Sequence, residues 1–355
     1  MDINFVSADE AVSLIHSGHR LYVQGSTSTP MTLLDALARR GHELSNVTVY
    51  TGFAVTERPL PLCRKEFKDT FLINTYFVNN SVRKWIAEGY GVTTPRFLSQ
   101  VPSMIREGIW DVEVVLLNCS MPNKDGFVTF AVSGDVTISA VERARIIIAQ
   151  INPRMPFSYG DAKVHVSRID AAVLVDEPLS EVPTSIPTAD EEKIGRFIAE
   201  KIPDGATLQI GVGGIPNAVL HALQDHCHLG LHTEALTVGV VPLLEAGVID
   251  NSRKRLLKGK SVAALCIGGK RLYDYMDYNP DIVFRDVAWV NDPFIISQNP
   301  KVMAINSCLE IDLTGQICAD SIGTKIFSGV GGQQDFVQGA ARSEGGASFT
   351  AMLST

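Results

Sequence analysis

The residues whose types and spacing are best suited to a chemical reaction lie between positions 207 and 234. A glycine-rich loop, Gly211-Val-Gly-Gly-Ile-Pro216, follows an apolar run, and Leu231-His-Thr-Glu234 comes about one helix length later. Backbone amides at a helix start favour negative charge or a developing oxyanion. A carboxylate such as Glu234 can act as a base or as a covalent nucleophile, splitting one acyl transfer into two easier steps. The spacing therefore predicts oxyanion donors beside a reactive carboxylate.

The elements that would position these groups form one βα unit. We expect a strand over Thr207–Ile210, a helix opened by Pro216, and a short second strand that ends on Glu234. The loop alone is also compatible with an ordinary strand-to-helix turn. It is not a phosphate-binding P-loop, because no Gly-Lys-Ser/Thr follows, and it lacks the GxGxxG spacing of a dinucleotide fold.

A second glycine patch runs from Ser328 to Phe336 and contains Gly331 and Gly332. Two such loops in one domain favour a long ligand with phosphates and a thin reactive arm, because glycine lets a ligand approach the backbone. The alternative is a bend between core strands, where isolated glycines mark bulges or close packing.

Two other enzyme classes are poorly supported by the residue spacing. Four histidines and a cysteine precede Glu234 without the HExxH pattern or the i, i+4 spacing of zinc ligands, so we predict no metal site. No G-x-S-x-G nucleophile elbow occurs in the chain, which argues against a serine hydrolase.

The chain contains a long internal repeat. Residues 5–37 and 186–223 both begin with a capping box and continue through a helix, a turn glycine, a strand, a loop and a proline. Helix–strand alternation predicts an α/β fold of two duplicated open domains with mostly parallel sheets. We place these domains at residues 1–180 and 188–355, joined by a linker with three prolines, and expect the active site in the cleft between them.

Composition limits the possible partners and location. The 355 residues carry 31 basic and 39 acidic side chains, a net charge of −8, which argues against nucleic acid as a partner. Six cysteines without a CxxC pair suggest reduced thiols in a cytoplasmic protein, and no apolar run is long enough for a membrane helix. We expect a homodimer. The end at residues 351–355 falls within a predicted strand, so we expect a truncated chain.

Several separate motifs together resemble one known family, the acetyl-CoA hydrolase/transferase family, and within it the 4-hydroxybutyrate and butyrate–acetate CoA-transferases. The resemblance covers essentially the whole chain. The motifs are PNKDGFVTFAVSGD (122–135), NPRMPFSYGDAKVHVSRID (152–170), GVGGIP (211–216), LHTE (231–234), VVPLLEAGVID (240–250), INSCLEIDLTGQ (305–316) and SGVGGQQDF (328–336).

The resemblance implies a ping-pong transfer of coenzyme A between a short-chain acyl-CoA and a carboxylate such as acetate, with acyl-CoA as substrate and no tightly bound cofactor. It assigns the nucleophile to Glu234. It assigns coenzyme A contacts to Gly211, Val212, Gly213, Gly214 and Ile215, and further contacts to Gly331 and Gly332. Where the family usually has Met-x-Ser-Asp-Gly after the glutamate, this chain has Ala235-Leu-Thr-Val-Gly239. An acyl-CoA hydrolase, or a truncated copy that binds coenzyme A without turnover, are the alternatives.

Overall fold

The computed structural model describes residues 3–354, and its first half is built on a seven-stranded, fully parallel sheet. The sheet order is β10-β7-β5-β1-β2-β3-β4. The strands of this half are β1 (Arg20–Val23), β2 (Val47–Thr51), β3 (Phe71–Thr75), β4 (Gly91–Thr93), β5 (Val114–Cys119), β6 (Phe127–Thr129), β7 (Ile146–Ile151), β8 (Tyr159–Gly160), β9 (Lys163–His165) and β10 (Ala171–Leu174). The helices are α1 (Ala8–Val12), α2 (Met31–Arg39), α3 (Arg83–Ala87), α4 (Val101–Arg106) and α5 (Thr137–Arg143).

The second half repeats this arrangement around a shorter central sheet, β12-β11-β17-β22. Its strands are β11 (Thr207–Ile210), β12 (Gly230–Leu231), β13 (Ala235–Thr237), β14 (Ser261–Ala263), β15 (Leu265–Ile267), β16 (Ile282–Phe284), β17 (Val302–Ser307), β18 (Glu310–Ile311), β19 (Ile317–Cys318), β20 (Ser321–Ile322), β21 (Lys325–Ile326) and β22 (Ala347–Ala351). Its helices are α6 (Ala189–Ala199), α7 (Gly214–Ala222), α8 (Val241–Glu245), α9 (Lys270–Met276), α10 (Val287–Val290), α11 (Pro293–Ser297) and α12 (Gln333–Arg342).

The strands pair as the internal repeat predicts. In the first half β1 lies between β2 and β5, and in the second half β11 lies between β12 and β17. Both capping boxes form: Ser7 pairs with Glu10 at the start of α1, and Thr188 pairs with Glu191 at the start of α6. The prediction of duplicated α/β halves with mostly parallel sheets is confirmed.

The core strands are short apolar runs covered on both faces. Every residue of β5 is buried, and so are five of the six residues of β7. A continuous apolar run suits a parallel strand with helices on both sides, because neither face meets water. No helix within residues 3–354 is both long and apolar enough to cross a bilayer.

One strand from the first half joins a sheet of the second half. β8 belongs to the first half by sequence but pairs in parallel with β16 of the second half. Gly160 makes the close approach possible: its φ is +124°, and a Cβ atom there would overlap the carbonyl oxygen of Phe284. Asp161 reinforces the junction, because its amide donates to the same carbonyl at 2.8 Å.

Two element boundaries near the reactive stretch differ from the sequence prediction. α7 begins at Gly214 and not at Pro216, which occupies the third helical position. β12 stops at Leu231, so Glu234 lies in the connection to β13 and not at the end of a strand. The reason is that His232 pairs with Val262 of β14 through an isolated bridge, and the chain then turns to join β15.

Candidate active site

The candidate site is a cavity of about 600 Å³ whose walls come from both halves of the chain. The first half contributes aromatic side chains and Asp135. The second half contributes Glu234, the glycine loops, the β18–β21 hairpins and part of β22. Among the lining residues of the described chain there is no lysine, arginine or histidine, whereas three carboxylates are present: Asp135, Glu234 and Asp320.

Glu234 is fixed at the wall of this cavity by its own backbone. Its carbonyl oxygen accepts hydrogen bonds from the amides of Ala264 and Leu265, at 3.0 and 3.1 Å. The preceding Thr233 fixes the connection between β12 and β13, because its hydroxyl accepts a hydrogen bond from the amide of Ile210 at the end of β11. The side chain remains partly exposed to the cavity, so the carboxylate is both held and accessible.

The carboxylate of Glu234 has one strong donor. Asn291 Nδ2 donates to Glu234 Oε2 at 2.7 Å, and Asn291 is itself fully buried. Asn291 follows the last residue of α10, and its Oδ1 has no hydrogen-bond partner within the described chain. The amide group is therefore in place to hold one oxygen of Glu234 while the other faces the cavity.

Burial of Glu234 raises its pKa to about 7, well above its usual value. The hydrogen bond from Asn291 lowers the pKa, whereas the negative charges of Asp335 and Asp135 add to the increase. Withdrawal from water disfavours the charged form, and nearby like charges act in the same direction. Near neutral pH a substantial fraction of Glu234 is still ionised, and a carboxylate with a raised pKa is a better nucleophile than an ordinary one.

Gly332 must be glycine for reasons of space. Its φ of −107° is open to any residue, but an added Cβ atom would overlap both Glu234 Oε2 and Asn291 Nδ2. Gly331 differs, because its φ of +59° is in the left-handed region while a Cβ there would meet only the ring of Phe77, at 3.4 Å. Both glycines line the cavity.

The loop that carries these glycines is attached to the first half of the chain. The carbonyl of Ser328 accepts from the amide of Val78 at 3.0 Å, and that of Gly331 accepts from Leu98 at 2.9 Å. At the start of α12, the Asp335 carboxylate accepts from the hydroxyl of Ser99 at 2.8 Å and from its amide at 3.2 Å. Burial raises the pKa of Asp335 to about 6 despite these donors.

His232 is a structural residue within the reactive stretch. Its Nε2 lies 2.7 Å from the carbonyl oxygen of Val290, the residue before Asn291, and its Nδ1 lies 3.4 Å from Asn299 Nδ2. The ring stacks on Trp289 and is almost fully buried. Burial lowers its pKa to about 3, so it stays neutral and donates from Nε2 to Val290.

The first glycine loop reaches the cavity only at its beginning. Gly211 and Val212 line it, whereas Gly213 and Gly214 start α7 away from the wall and Ile215 is buried in the core. Gly213 has a φ of +136°, and an added Cβ at Gly214 would overlap the Glu191 carboxylate of the capping box. Glycine at position 213 thus has a conformational reason, and glycine at position 214 has a packing reason.

Sequence reasoning missed three polar residues around Glu234. Asn291, Asp335 and Asp135 come from separate parts of the chain, and none of them lies in a local pattern that marks a site. Only the FAVSGD and SGVGGQQDF segments, which contain Asp135 and Asp335, carried an indirect signal through the resemblance. Within residues 3–354 no group of three or more histidine, cysteine or acidic side chains has the geometry to hold a metal ion.

Comparisons with known proteins find relatives that are similar over nearly the whole chain. A crystal structure of RipA from Yersinia pestis superposes with a TM-score of 0.92 at 34% identity, covering 100% of this chain and 84% of that one. A Fasciola hepatica protein named succinyl-CoA:acetate/propanoyl-CoA:succinate CoA transferase is 40% identical over 94% of this chain and 70% of its own length. The 4-hydroxybutyrate coenzyme A transferase of Clostridium kluyveri is 38% identical over 99% of this chain and 81% of its own.

Family models cover both ends of the chain. The acetyl-CoA hydrolase/transferase N-terminal domain matches residues 3–184, and the C-terminal domain of the same family matches residues 268–355. The resemblance found in the sequence motifs is confirmed, and the chain belongs to the acetyl-CoA hydrolase/transferase family.

Proposed function

We propose that this protein is a CoA-transferase that moves coenzyme A between a short-chain acyl-CoA and a carboxylate such as acetate, with Glu234 as covalent nucleophile. The observation that carries the proposal is the placement of the Glu234 carboxylate. It borders the cavity, accepts a hydrogen bond from Asn291, and lies so close to Gly332 that a side chain at position 332 would overlap it. The relatives from Fasciola hepatica and Clostridium kluyveri are both named as CoA-transferases.

The first half-reaction exchanges an acyl group for coenzyme A on Glu234. The ionised carboxylate attacks the thioester carbonyl, the C–S bond breaks, and an acyl–glutamyl anhydride and the CoA thiolate result. The thiolate then attacks the glutamyl carbonyl, which forms the glutamyl-CoA thioester and releases the first carboxylic acid as its carboxylate. Ionised Glu234 needs no separate base, and each intermediate stays activated.

The second half-reaction reverses these steps with a new acid. The acceptor carboxylate attacks the glutamyl thioester, the thiolate leaves, and the thiolate then attacks the acyl carbonyl of the new anhydride. The product acyl-CoA and free Glu234 are formed. In both half-reactions an oxyanion develops beside Glu234. The Asn291 amide group and the backbone N–H groups of the Gly331–Gly332 loop are the available donors there.

The coenzyme A contacts are part of the proposal. Gly211, Val212, Gly331 and Gly332 line the cavity and can approach the pantetheine arm through their backbones. For Gly213, Gly214 and Ile215 the proposal depends on the family resemblance and on the amides at the start of α7. We further propose a cytoplasmic homodimer with two domains divided between residues 180 and 188, and no tightly bound cofactor.

Acetate dependence tests the proposal. Butyryl-CoA should be converted to acetyl-CoA only when acetate is added, and a Glu234→Gln variant should lose at least about 1000-fold in kcat, equal to about 4 kcal/mol of barrier. Glu57→Gln, at an exposed carboxylate, is the matched control. Butyryl-CoA loss without acetyl-CoA formation would favour the hydrolase alternative. Full activity of Glu234→Gln would refute the role of Glu234.

A further inference from the structure

The part of the cavity beside Glu234 has a mainly apolar wall with one charged group. Ala235 and Leu265 are direct neighbours across the β13–β15 pair, and they pack with Ile267 and Phe53 in one apolar cluster. All four of these residues line the cavity. Since the acyl group is bonded to the carbonyl that Glu234 attacks, its tail must lie along the wall next to Glu234.

The backbones of Asp135 and Glu234 are both hydrogen-bonded to Ala264. The amide of Asp135 donates to the carbonyl of Ala264 at 3.0 Å, while the amide of Ala264 donates to the carbonyl of Glu234 at 3.0 Å. Ser133, two residues earlier, forms an isolated antiparallel β-bridge with Leu265. Two strand spacings therefore separate the backbones of Asp135 and Glu234, about 10 Å. A four-carbon acyl chain extends over roughly half of that distance, at about 1.5 Å per bond.

The negative charge of Asp135 has no cation to balance it. Its carboxylate accepts from the hydroxyl of Ser133 at 3.0 Å and from those of Tyr76 and Thr137 at 3.4 Å, and within the described chain it forms no ion pair. Asp135 is almost fully buried, which raises its own pKa, while the hydrogen bonds from its neighbours lower that pKa and so favour the charged form. The charge of Asp135 also contributes to the raised pKa of Glu234. These hydroxyl donors stabilise the carboxylate without neutralising it.

We infer that Asp135, in a cavity wall without cations, restricts the acyl site to uncharged acyl groups and rejects dicarboxylic ones such as succinyl. This inference rests on the proposed CoA-transferase function and names its substrate class. A second carboxylate on the substrate would lie a few ångströms from Asp135 and find no positive partner. A terminal hydroxyl, in contrast, finds an acceptor in the Asp135 carboxylate. The relatives' names include both substrate kinds.

Binding of acyl-CoA to a Glu234→Gln protein tests the inference without turnover. Calorimetric titration should give a Kd for succinyl-CoA at least about tenfold weaker than that for butyryl-CoA, because like charges about 5 Å apart repel strongly at a partly buried site. 4-Hydroxybutyryl-CoA should bind as tightly as butyryl-CoA. Equal binding of succinyl-CoA would overturn the inference, and so would equally weak binding of 4-hydroxybutyryl-CoA, which would mean that polarity and not charge is rejected.

A matched pair of substitutions locates the effect. In the same background Asp135→Asn should reduce the preference for butyryl-CoA over succinyl-CoA at least threefold, whereas Asp320→Asn should leave the ratio unchanged although it removes one charge from the same cavity. An unchanged ratio in Asp135→Asn would overturn the inference. With Glu234 intact, acetate exchange reports on the proposed function separately, so loss of transfer with retained binding preference would refute only the transferase proposal.

Discussion

At the scale of single residues, the environment of Glu234 sets how the proposed reaction responds to pH. The nucleophile must be ionised, and its pKa is raised to about 7 mainly because it is withdrawn from water. Protonation below that value removes the attacking carboxylate, so activity falls as the pH falls. An ordinary glutamate would lose activity only near its usual pKa of about 4.3.

The pH profile of kcat/KM is therefore predicted to have an acid limb near pH 7. In Asn291→Ala this limb should move to higher pH, because the lost hydrogen bond is the one interaction that lowers the pKa of Glu234. Steady-state rates between pH 5 and 9 provide the measurement, with Asn80→Ala, at an exposed position, as control. A limb near pH 4.5 in the native protein would contradict the described environment of Glu234.

At the scale of residues, the sequence singles out those whose chemistry and local pattern coincide. Glu234 stands out because it follows a glycine loop by one βα unit, and Gly331 and Gly332 because they form a dense glycine patch; the structure places all three at the cavity wall, and their roles stay predictions. Asn291 was not found because it lies 57 residues beyond Glu234, and nothing near it in sequence marks the turn after α10. Its role follows from tertiary contacts alone.

At the scale of elements, the segment from Ser328 to Gly332 connects the two halves at the site. Its backbone is bonded to Val78 and Leu98 of the first half, while Gly332 touches the nucleophile of the second. A displacement of this segment would thus change both the cavity shape and the orientation of Glu234. Its two glycines are required for different reasons, which gives a matched experiment.

Gly332→Ala should lower kcat by about 100-fold, because an added methyl group displaces the Glu234 carboxylate by roughly an ångström. Its backbone conformation is open to alanine, so the free energy of unfolding should change little. Gly331→Ala should do the reverse: it should cost about 1 kcal/mol of stability for its positive φ and retain most activity. Rates and urea unfolding of both variants provide the test, and similar losses of activity in the two would contradict it.

At the scale of the whole molecule, strand β8 joins the halves that form the cavity. The internal repeat predicted two similar open sheets, and the structure has them, with β1 and β11 in equivalent places. The repeat did not predict that β8 would pair with β16 in a separate three-stranded sheet of the second half, because a two-residue strand has no periodicity to read. Pairing between strands so far apart in sequence is decided by tertiary packing and not by local sequence.

Gly160→Ala should therefore destabilise the protein more than a glycine substitution elsewhere. An added Cβ would overlap the carbonyl of Phe284 and break the β8–β16 pairing, at a cost of about 2–3 kcal/mol. Gly89→Ala is the control, because Gly89 also has a positive φ, of +79°, but open space around its Cβ. Denaturant unfolding gives both free energies, and equal losses in the two variants would argue against a junction at β8.

The most direct test of the proposed mechanism is chemical identification of the intermediate on Glu234. The protein is incubated with butyryl-CoA without an acceptor acid and treated with borohydride, which reduces a glutamyl thioester to an alcohol, and its peptides are then analysed by mass spectrometry. The mechanism predicts a reduced side chain at Glu234 and nowhere else, and none when butyryl-CoA is omitted. An unmodified Glu234 in protein that transfers coenzyme A, or reduction at Asp135 or Asp335 instead, would contradict it.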